Sequence, residues 1–167
     1  MKISLIAAMT LNQVIGVNNT IPWFLADDLA WFKHHALNKP IIMGRITYQS
    51  IGGCPLPQRL NIILSNRKNN KNAKNLIWVN SVEEALKSTG IAKEVMIIGG
   101  GKIYKLFFPM ANRLYLTHVN VKIKGDTYFP NYQSHEWNVV FSENHLADFK
   151  NSYDYRFEIL ERRIKNQ

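Results

Sequence analysis

Two adjacent carboxylates, Asp27 and Asp28, open the segment Leu25–Leu37, in which Leu25, Leu29, Phe32 and Ala36 recur at helical spacing. At about 100° per residue those four fall in one narrow stripe that should face the interior. Asp28 lies roughly 60° from one edge of the stripe and Asp27 lies nearly opposite it. Asp27 is therefore expected to be a solvated first-turn acid, favourable to the helix dipole. Asp28 points toward an apolar region, where an unpaired carboxylate is costly. It needs either a structural partner or the cationic and N–H groups of a ligand, and the spacing admits both.

A second kind of chemistry gathers after apolar runs. In Val95-Met96-Ile97-Ile98-Gly99-Gly100-Gly101-Lys102-Ile103-Tyr104, three glycines join a buried run to a helical one. Glycines let backbone approach a ligand closely, and a following helix aims free N–H groups at an anion. The spacing is neither GxGxxG nor a P-loop. A tight turn needs fewer glycines, which favours phosphate. Ile41-Ile42-Met43-Gly44-Arg45-Ile46-Thr47-Tyr48 repeats the logic, with a short helix expected from Thr47 to Ile51. Thr47 is either a helix cap or a phosphate ligand, and Arg45 offers a fork of donors. Ile62-Ile63-Leu64-Ser65-Asn66-Arg67 ends in hydroxyl, amide and guanidinium. A dinucleotide carrying an extra phosphate would satisfy all three places.

The elements that must position these groups alternate. Strands are expected at Ile3–Met9, Pro40–Gly44, Leu60–Ser65, Leu76–Val79, Glu94–Ile98, Arg113–Val119, near Trp137–Ser142 and at Tyr155–Arg162. Helices are expected at Leu25–Leu37, Thr47–Ile51, Val82–Ser88 and Lys102–Phe108, the last stopped by Pro109. Such alternation implies an α/β fold with a mainly parallel central sheet of about eight strands flanked by helices. Two terminal β runs with no helix between them add an antiparallel hairpin at one edge. No linker, repeat or composition break divides residues 1–167, so one domain is expected. Ligands of such sheets sit at the carboxyl ends of strands.

The bulk composition narrows the function classes. An apolar fraction of 46% with 20% charged residues is ordinary for a globular protein. One cysteine, Cys54, excludes an internal disulfide framework, and the run Met1–Met9 is too short for a signal peptide. No segment nears the roughly 20 apolar residues of a membrane span, so a cytoplasmic protein is expected. The net charge of +9 raises a nucleic-acid reading. The basic residues are scattered, however, and the densest run, Arg67–Asn75, has the composition of a solvated loop.

The chain resembles the dihydrofolate reductases, specifically the bacterial type. The resemblance is carried in order by Ile3-Ser4-Leu5-Ile6-Ala7-Ala8, Val14-Ile15-Gly16, Ile21-Pro22-Trp23, Asp28-Leu29-Ala30-Trp31-Phe32-Lys33, Asn38-Lys39-Pro40 and Ile42-Met43-Gly44-Arg45. It continues through Pro55-Leu56-Pro57-Gln58-Arg59, Ile97-Ile98-Gly99-Gly100-Gly101, Leu116-Thr117-His118, Gly125-Asp126-Thr127 and Phe157-Glu158-Ile159-Leu160-Glu161-Arg162-Arg163. It implies reduction of 7,8-dihydrofolate to 5,6,7,8-tetrahydrofolate with NADPH, by hydride transfer to C6 and protonation of N5, in support of one-carbon metabolism.

The resemblance also implies roles. Asp28, bonded by Thr117, would hold the pteridine, with Trp23 and Ile21 on a lid spanning Gly16–Leu25. Ile6, Ala7, Leu29, Phe32, Lys33, Ile51 and Ile98 would line the substrate pocket, and Arg59 would fork onto the glutamate α-carboxylate. Backbone groups near Ala8, Ile15 and Ile98 would place the nicotinamide, and Gly16, Val17, Asn19, Gly44, Ile46, Leu64, Ile103, Tyr104 and Thr127 would complete the cofactor site. Gly99, Gly100 and Gly101, with Thr47, would take the pyrophosphate. Arg45, Ser65, Asn66, Arg67 and Lys102 would surround the 2′-phosphate. No metal, nucleic acid or membrane is implied; diaminopyrimidine and pteridine antifolates are, as is a monomer. The chain departs from the pattern at Gly53-Cys54, a turn one residue longer than usual, at Gln58 in place of a frequent glycine, and at Ile21, Ile46 and Arg67. A pterin or pyrimidine reductase of the same fold is the nearest rival, and a basic nucleic-acid binder the rival of another class.

Overall fold

The computed structural model describes residues 1–68 and 70–165. The elements run β1 (Lys2–Thr10), β2 (Val14–Gly16), α1 (Ala26–Ala36), β3 (Ile41–Gly44), α2 (Arg45–Ser50), β4 (Asn61–Leu64) and β5 (Leu76–Val79). They continue with α3 (Val82–Lys87), β6 (Glu94–Gly99), α4 (Gly101–Phe107), β7 (Arg113–Val119), β8 (Thr127–Tyr128), β9 (Trp137–His145) and β10 (Tyr155–Arg162). Eight strands form one sheet in the order β5-β4-β3-β6-β1-β7-β10-β9. The first six lie parallel, and β10 runs antiparallel to both β7 and β9.

Central parallel strands covered on both faces must be apolar throughout. Ile41, Ile42 and Met43 of β3, Ile62 and Ile63 of β4, and Val95, Met96 and Ile97 of β6 are all fully buried. Right-handed crossovers then decide which helix covers which face. Outward steps from β1 to β3 and from β3 to β4 place α1 and α2 on one face, where Ala36 and Tyr48 pack with Ile41, Met43 and Ile63. Inward steps through α3 and α4 cover the other face, where Ala85, Ile103 and Phe107 pack with Leu5, Ile42, Ile62 and Ile97. Neighbouring strands β3 and β6 therefore send their chains to opposite faces. Such a switch point is where ligands of doubly wound sheets bind, outside the carboxyl ends of the strands.

The expected elements are all present, with two corrections. Helix α2 starts at Arg45 rather than Thr47, because Gly44 already occupies its N-cap. Strands β2 and β8, which pair antiparallel as a separate two-stranded sheet, carry too few residues to show any periodicity. The basic run after Ser65 is a loop whose described residues are exposed apart from the partly buried Asn70; Asn69 lies outside them. Among the described residues no helix is long and apolar enough to cross a membrane.

On α1, the His35 ring sits 4.1 Å from that of Trp31 and 4.7 Å from that of Tyr115. Burial, then the nearby charges of His34, Lys39 and Arg113, lower its pKa from the usual 6.5 to about 4, against a smaller opposing effect of Glu94. The unfolded chain thus takes up this proton at higher pH than the folded one. Stability is complete above the ordinary histidine pKa and falls as the pH drops from there toward 4. His35→Gln should flatten that acid limb in melting curves recorded across this range. An unchanged limb would show that other groups set it.

Candidate active site

Strand register places Thr117 where the first turn of α1 can reach it. In the β1–β7 pair Ala8 lies opposite Thr117 and Ile6 opposite Tyr115, so these side chains share the α1 face. Asp28, in the first turn of α1, accepts a 2.6 Å hydrogen bond from the Thr117 hydroxyl. Thr117 is 1% exposed. Burial raises the Asp28 pKa above the ordinary carboxylate range, and the Thr117 hydrogen bond offsets part of that rise.

The phase of α1 departs from the expected stripe. Leu25 and Ala36 are buried, but Leu29 is 53% exposed and stands on the open side of the helix. The cause is Trp31, whose ring stacks on Phe157 at 4.2 Å with an interplanar angle of 4°. That contact turns the packed face toward the side carrying Asp28, Trp31 and His35, so its centre shifts by roughly half a quadrant. The same rotation overturns the expectation for Asp27. It is half-buried, not solvated: the Tyr155 hydroxyl donates to its Oδ2, and its backbone N–H donates to Asn151 Oδ1 at 3.1 Å.

Around Asp28 the structure gathers most of the expected apolar residues. Ile6, Phe32, Ile51 and Ile98 join one cluster, while Ala8, Trp23, Leu25 and Trp31 join its neighbour. The side chain of Ala7 packs with the opposite face, against α4, and leaves only its backbone toward this site. Lys33 is exposed on α1. The Arg59 guanidinium donates to the Ala36 carbonyl through Nη1 and to the Pro57 carbonyl through Nε, each at 3.0 Å. Its Nη2 is left with no acceptor among the described residues. Gln58 sits at φ +62°, a left-handed conformation that accounts for a glycine being frequent there.

Three strand ends line up beside this cluster. Gly44 pairs with Leu64 across β3–β4, and Met43 pairs with Gly99 across β3–β6. Arg45, Ser65 and Gly100 therefore follow neighbouring strand ends. A Cβ on Gly100 would lie 3.5 Å from the Thr47 hydroxyl, and one on Gly44 would lie 3.1 Å from Ile103 Cγ1. Thr47 thus lies in the first turn of α2 and looks at the glycine turn instead of capping its helix. Ile46, Asn66, Arg67 and Lys102 are exposed nearby in the chain. The Tyr104 hydroxyl donates to the Ile6 carbonyl at 2.6 Å, tying α4 to β1.

The segment between β2 and α1 is held by Asp126, a residue of the Gly125-Asp126-Thr127 motif to which sequence reasoning assigned no role. Its backbone N–H donates to the Gly16 carbonyl at 3.2 Å, and its Oδ2 accepts from the Asn18 N–H at 2.9 Å. The Asn18 N–H, with the Thr127 hydroxyl donating to Oδ1 at 2.9 Å, holds the Asp126 carboxyl below the usual range. Gly125 permits the approach, since a Cβ there would fall 2.3 Å from Val14 Cγ1. Ile15 packs against the α4-side core, Val17 closes a turn with Thr20, and Asn18 and Asn19 take left-handed conformations. Ile21 is exposed, while Trp23 packs against the cluster containing Leu25. Asp126→Ala should slow turnover with little change in thermal stability, since the tether is exposed and serves the loop alone. Unchanged kcat would show that this tether does not govern the loop.

Comparison with known proteins agrees with this layout. The family model for dihydrofolate reductase matches residues 2–162. The chain is 51% identical to a dihydrofolate reductase of Buchnera aphidicola subsp. Schizaphis graminum over 163 residues, covering 97% of this chain and 100% of the relative. It is 46% identical to that of Haemophilus influenzae, covering 98% and 100%. A solved structure of the dihydrofolate reductase from Enterococcus faecalis, complexed with NADP(H) and RAB-propyl, superposes with a TM-score of 0.86 at 31% identity, covering 96% of each chain. A carboxylate bonded to a buried threonine, three strand ends carrying glycine, hydroxyl and guanidinium groups, and a match along nearly the whole length lead to one conclusion: the chain belongs to the dihydrofolate reductase family.

Proposed function

We propose that the cleft between α1 and the carboxyl ends of β1, β3 and β6 takes dihydrofolate, and that the ends of β3, β4 and β6 hold NADPH. The protein catalyses the NADPH-dependent reduction of 7,8-dihydrofolate to tetrahydrofolate. The observation that carries the placement is the Asp28–Thr117 pair, a carboxylate removed from water by packing and anchored through Oδ1, with no partner on Oδ2 among the described residues. Its second oxygen is then available to the ring N–H and 2-amino group of the pterin. The strand ends fit the cofactor as well. Glycines clear space for the pyrophosphate, the Thr47 hydroxyl faces them, and Arg45, Ser65 and Arg67 supply the charge-assisted donors a 2′-phosphate requires.

When bound, NADPH supplies the hydride. Asp28 holds the pterin and stabilises it once protonated, and a water admitted beside the Gly16–Leu25 loop delivers the proton to N5. Ile6, Phe32, Ile51 and Ile98 exclude other water and face the ring system. Arg59, braced by the Ala36 and Pro57 carbonyls, presents Nη2 to the glutamate carboxylate. Diaminopyrimidine and pteridine antifolates would occupy the same cleft. A cytoplasmic monomer is the accompanying proposal, supported by a lone exposed cysteine and by the family's usual condition; sedimentation tests the monomer.

Following the near-ultraviolet absorbance of NADPH with dihydrofolate added tests the reaction. Arg59→Lys tests the placement. Losing the fork should raise KM for dihydrofolate by about tenfold or more, because hydrogen bonds to charged groups contribute roughly 1.5–3 kcal/mol. Pterins that lack the glutamate should be reduced as before. If dihydrofolate kinetics stay unchanged, the Gly53-Cys54 turn has moved Arg59 off the carboxylate.

A further inference from the structure

Helix α1 carries Asp28 but does not cap itself. Its N-cap is Leu25, which has no side-chain acceptor, and the first-turn amides turn elsewhere. The Ala26 N–H donates to the Lys150 carbonyl at 3.2 Å, and the Asp27 N–H donates to Asn151 Oδ1 at 3.1 Å. Both acceptors belong to the β9–β10 connection, more than a hundred residues further along the chain. Leu25 and Asn151 also form an isolated bridge. The Tyr155 hydroxyl adds a third tie, to the Asp27 carboxylate.

Asn151 is built into this position. It is 1% exposed. Its Nδ2 donates to Asp148 Oδ1 at 2.9 Å, and the two backbones exchange hydrogen bonds, Asp148 N–H to the Asn151 carbonyl at 2.9 Å and the reverse at 3.2 Å. The amide is thereby oriented with its oxygen toward α1. The tie sits one residue before Asp28, whose own N–H is bonded back to the Leu25 carbonyl at 3.1 Å. Thr117 fixes the far end of the same carboxylate from β7, and β7 pairs directly with β10, the strand after the connection.

We propose that Asn151 is a positioning residue for the reaction: it clamps the first turn of α1 so that the Asp28 carboxylate meets Thr117 and the pterin together. The proposal rests on Asp28 being the substrate carboxylate. Without the clamp the first turn frays, Asp28 gains water, and its acceptor geometry toward substrate loosens. Tyr155 supports the same turn through Asp27, whereas the cofactor residues on β3, β4 and β6 are untouched.

The test uses the full chain, saturated with NADPH, well below its melting temperature. Asn151→Ala should raise KM for dihydrofolate by about tenfold, the scale of a lost helix cap, and leave KM for NADPH unchanged. The acid limb of the kcat/KM profile should move to lower pH as Asp28 becomes hydrated. The exchange variant Asp148→Asn/Asn151→Asp, which keeps an acceptor for Asp27 N–H and the mutual bond, should restore both. A merely structural role would lower the melting temperature without moving either readout. Wild-type KM and pH limb in Asn151→Ala overturn the proposal, as does an exchange variant that melts like wild type yet behaves like Asn151→Ala. Should Asn151→Ala fail to fold, Tyr155→Phe carries the same readouts, with the same meaning, through the other side-chain tie to this turn. Asp28→Asn measured alongside separates the two ideas. A flat response there overturns the substrate-site reading and this proposal with it. A response there and none in Asn151→Ala overturns this proposal alone.

Discussion

Asp28→Asn is expected to lose roughly a hundred- to a thousandfold in kcat/KM at neutral pH while melting at a higher temperature than the parent. The loss comes from removing a fixed charge aimed at the protonated pterin, the scale seen when one preorganised electrostatic contact is deleted. The gain in stability comes from burial. The Asp28 pKa is raised in the folded state, with desolvation the larger cause and the Thr117 hydrogen bond opposing it. A carboxyl so shifted favours folding fully below its unfolded pKa of 3.8, and that contribution is lost as pH rises through the folded value. At neutral pH the charge is therefore a cost the asparagine does not carry, and its carbonyl can still accept from Thr117. The two melting curves should converge below the unfolded carboxyl pKa. Activity should recover in part at low pH, where substrate arrives protonated, and diaminopyrimidine cations should bind more weakly. Asp27→Asn is the control. Its amide oxygen keeps the acceptor for Tyr155, so turnover should change little. If Asp27→Asn is the crippling change, or if Asp28→Asn melts lower at neutral pH, the assignment of the buried carboxylate is wrong.

Arg45→Ala/Arg67→Ala should remove most of the preference for NADPH over NADH. Arg45 opens α2 immediately after β3, and Arg67 stands after β4, two residues beyond Ser65, whose hydroxyl accepts from the Arg67 N–H at 3.2 Å. Strand pairing holds those two ends side by side. Each guanidinium should contribute roughly 1.5–3 kcal/mol to a phosphate it meets, so losing both should raise KM for NADPH by about a hundredfold or more. NADH lacks the 2′-phosphate and should be affected only slightly. Comparing kcat/KM for the two cofactors in each single variant and the double checks this directly. Equal losses for both would mean that the arginines serve the shared pyrophosphate, and the 2′-phosphate site lies elsewhere.

Local pattern determined a great deal about this protein. Continuous apolar runs such as Ile41–Met43 and Val95–Ile97 can only be strands covered on both faces, and they are fully buried. Their alternation with helices yields a parallel sheet, and the residues just past each run lie at its carboxyl edge, where the proposed ligands sit. The glycine turn, the arginine ends and the ordered motifs therefore announced the family from sequence. Asp28 was legible too, because helical phase placed it near the apolar side. Tertiary structure alone decided how far α1 turns about its axis, because the stack of Trp31 on Phe157 joins residues separated by most of the chain. The same holds for the exposure of Leu29, the bond from Tyr155 to Asp27 and the capping of α1 by Asn151. Asp126 reaching back to Asn18 belongs with them. Periodicity reports only which side of an element is apolar. Rotation within that side, and the partner that satisfies a helix's free amides, are settled by whichever distant groups packing brings within hydrogen-bond reach.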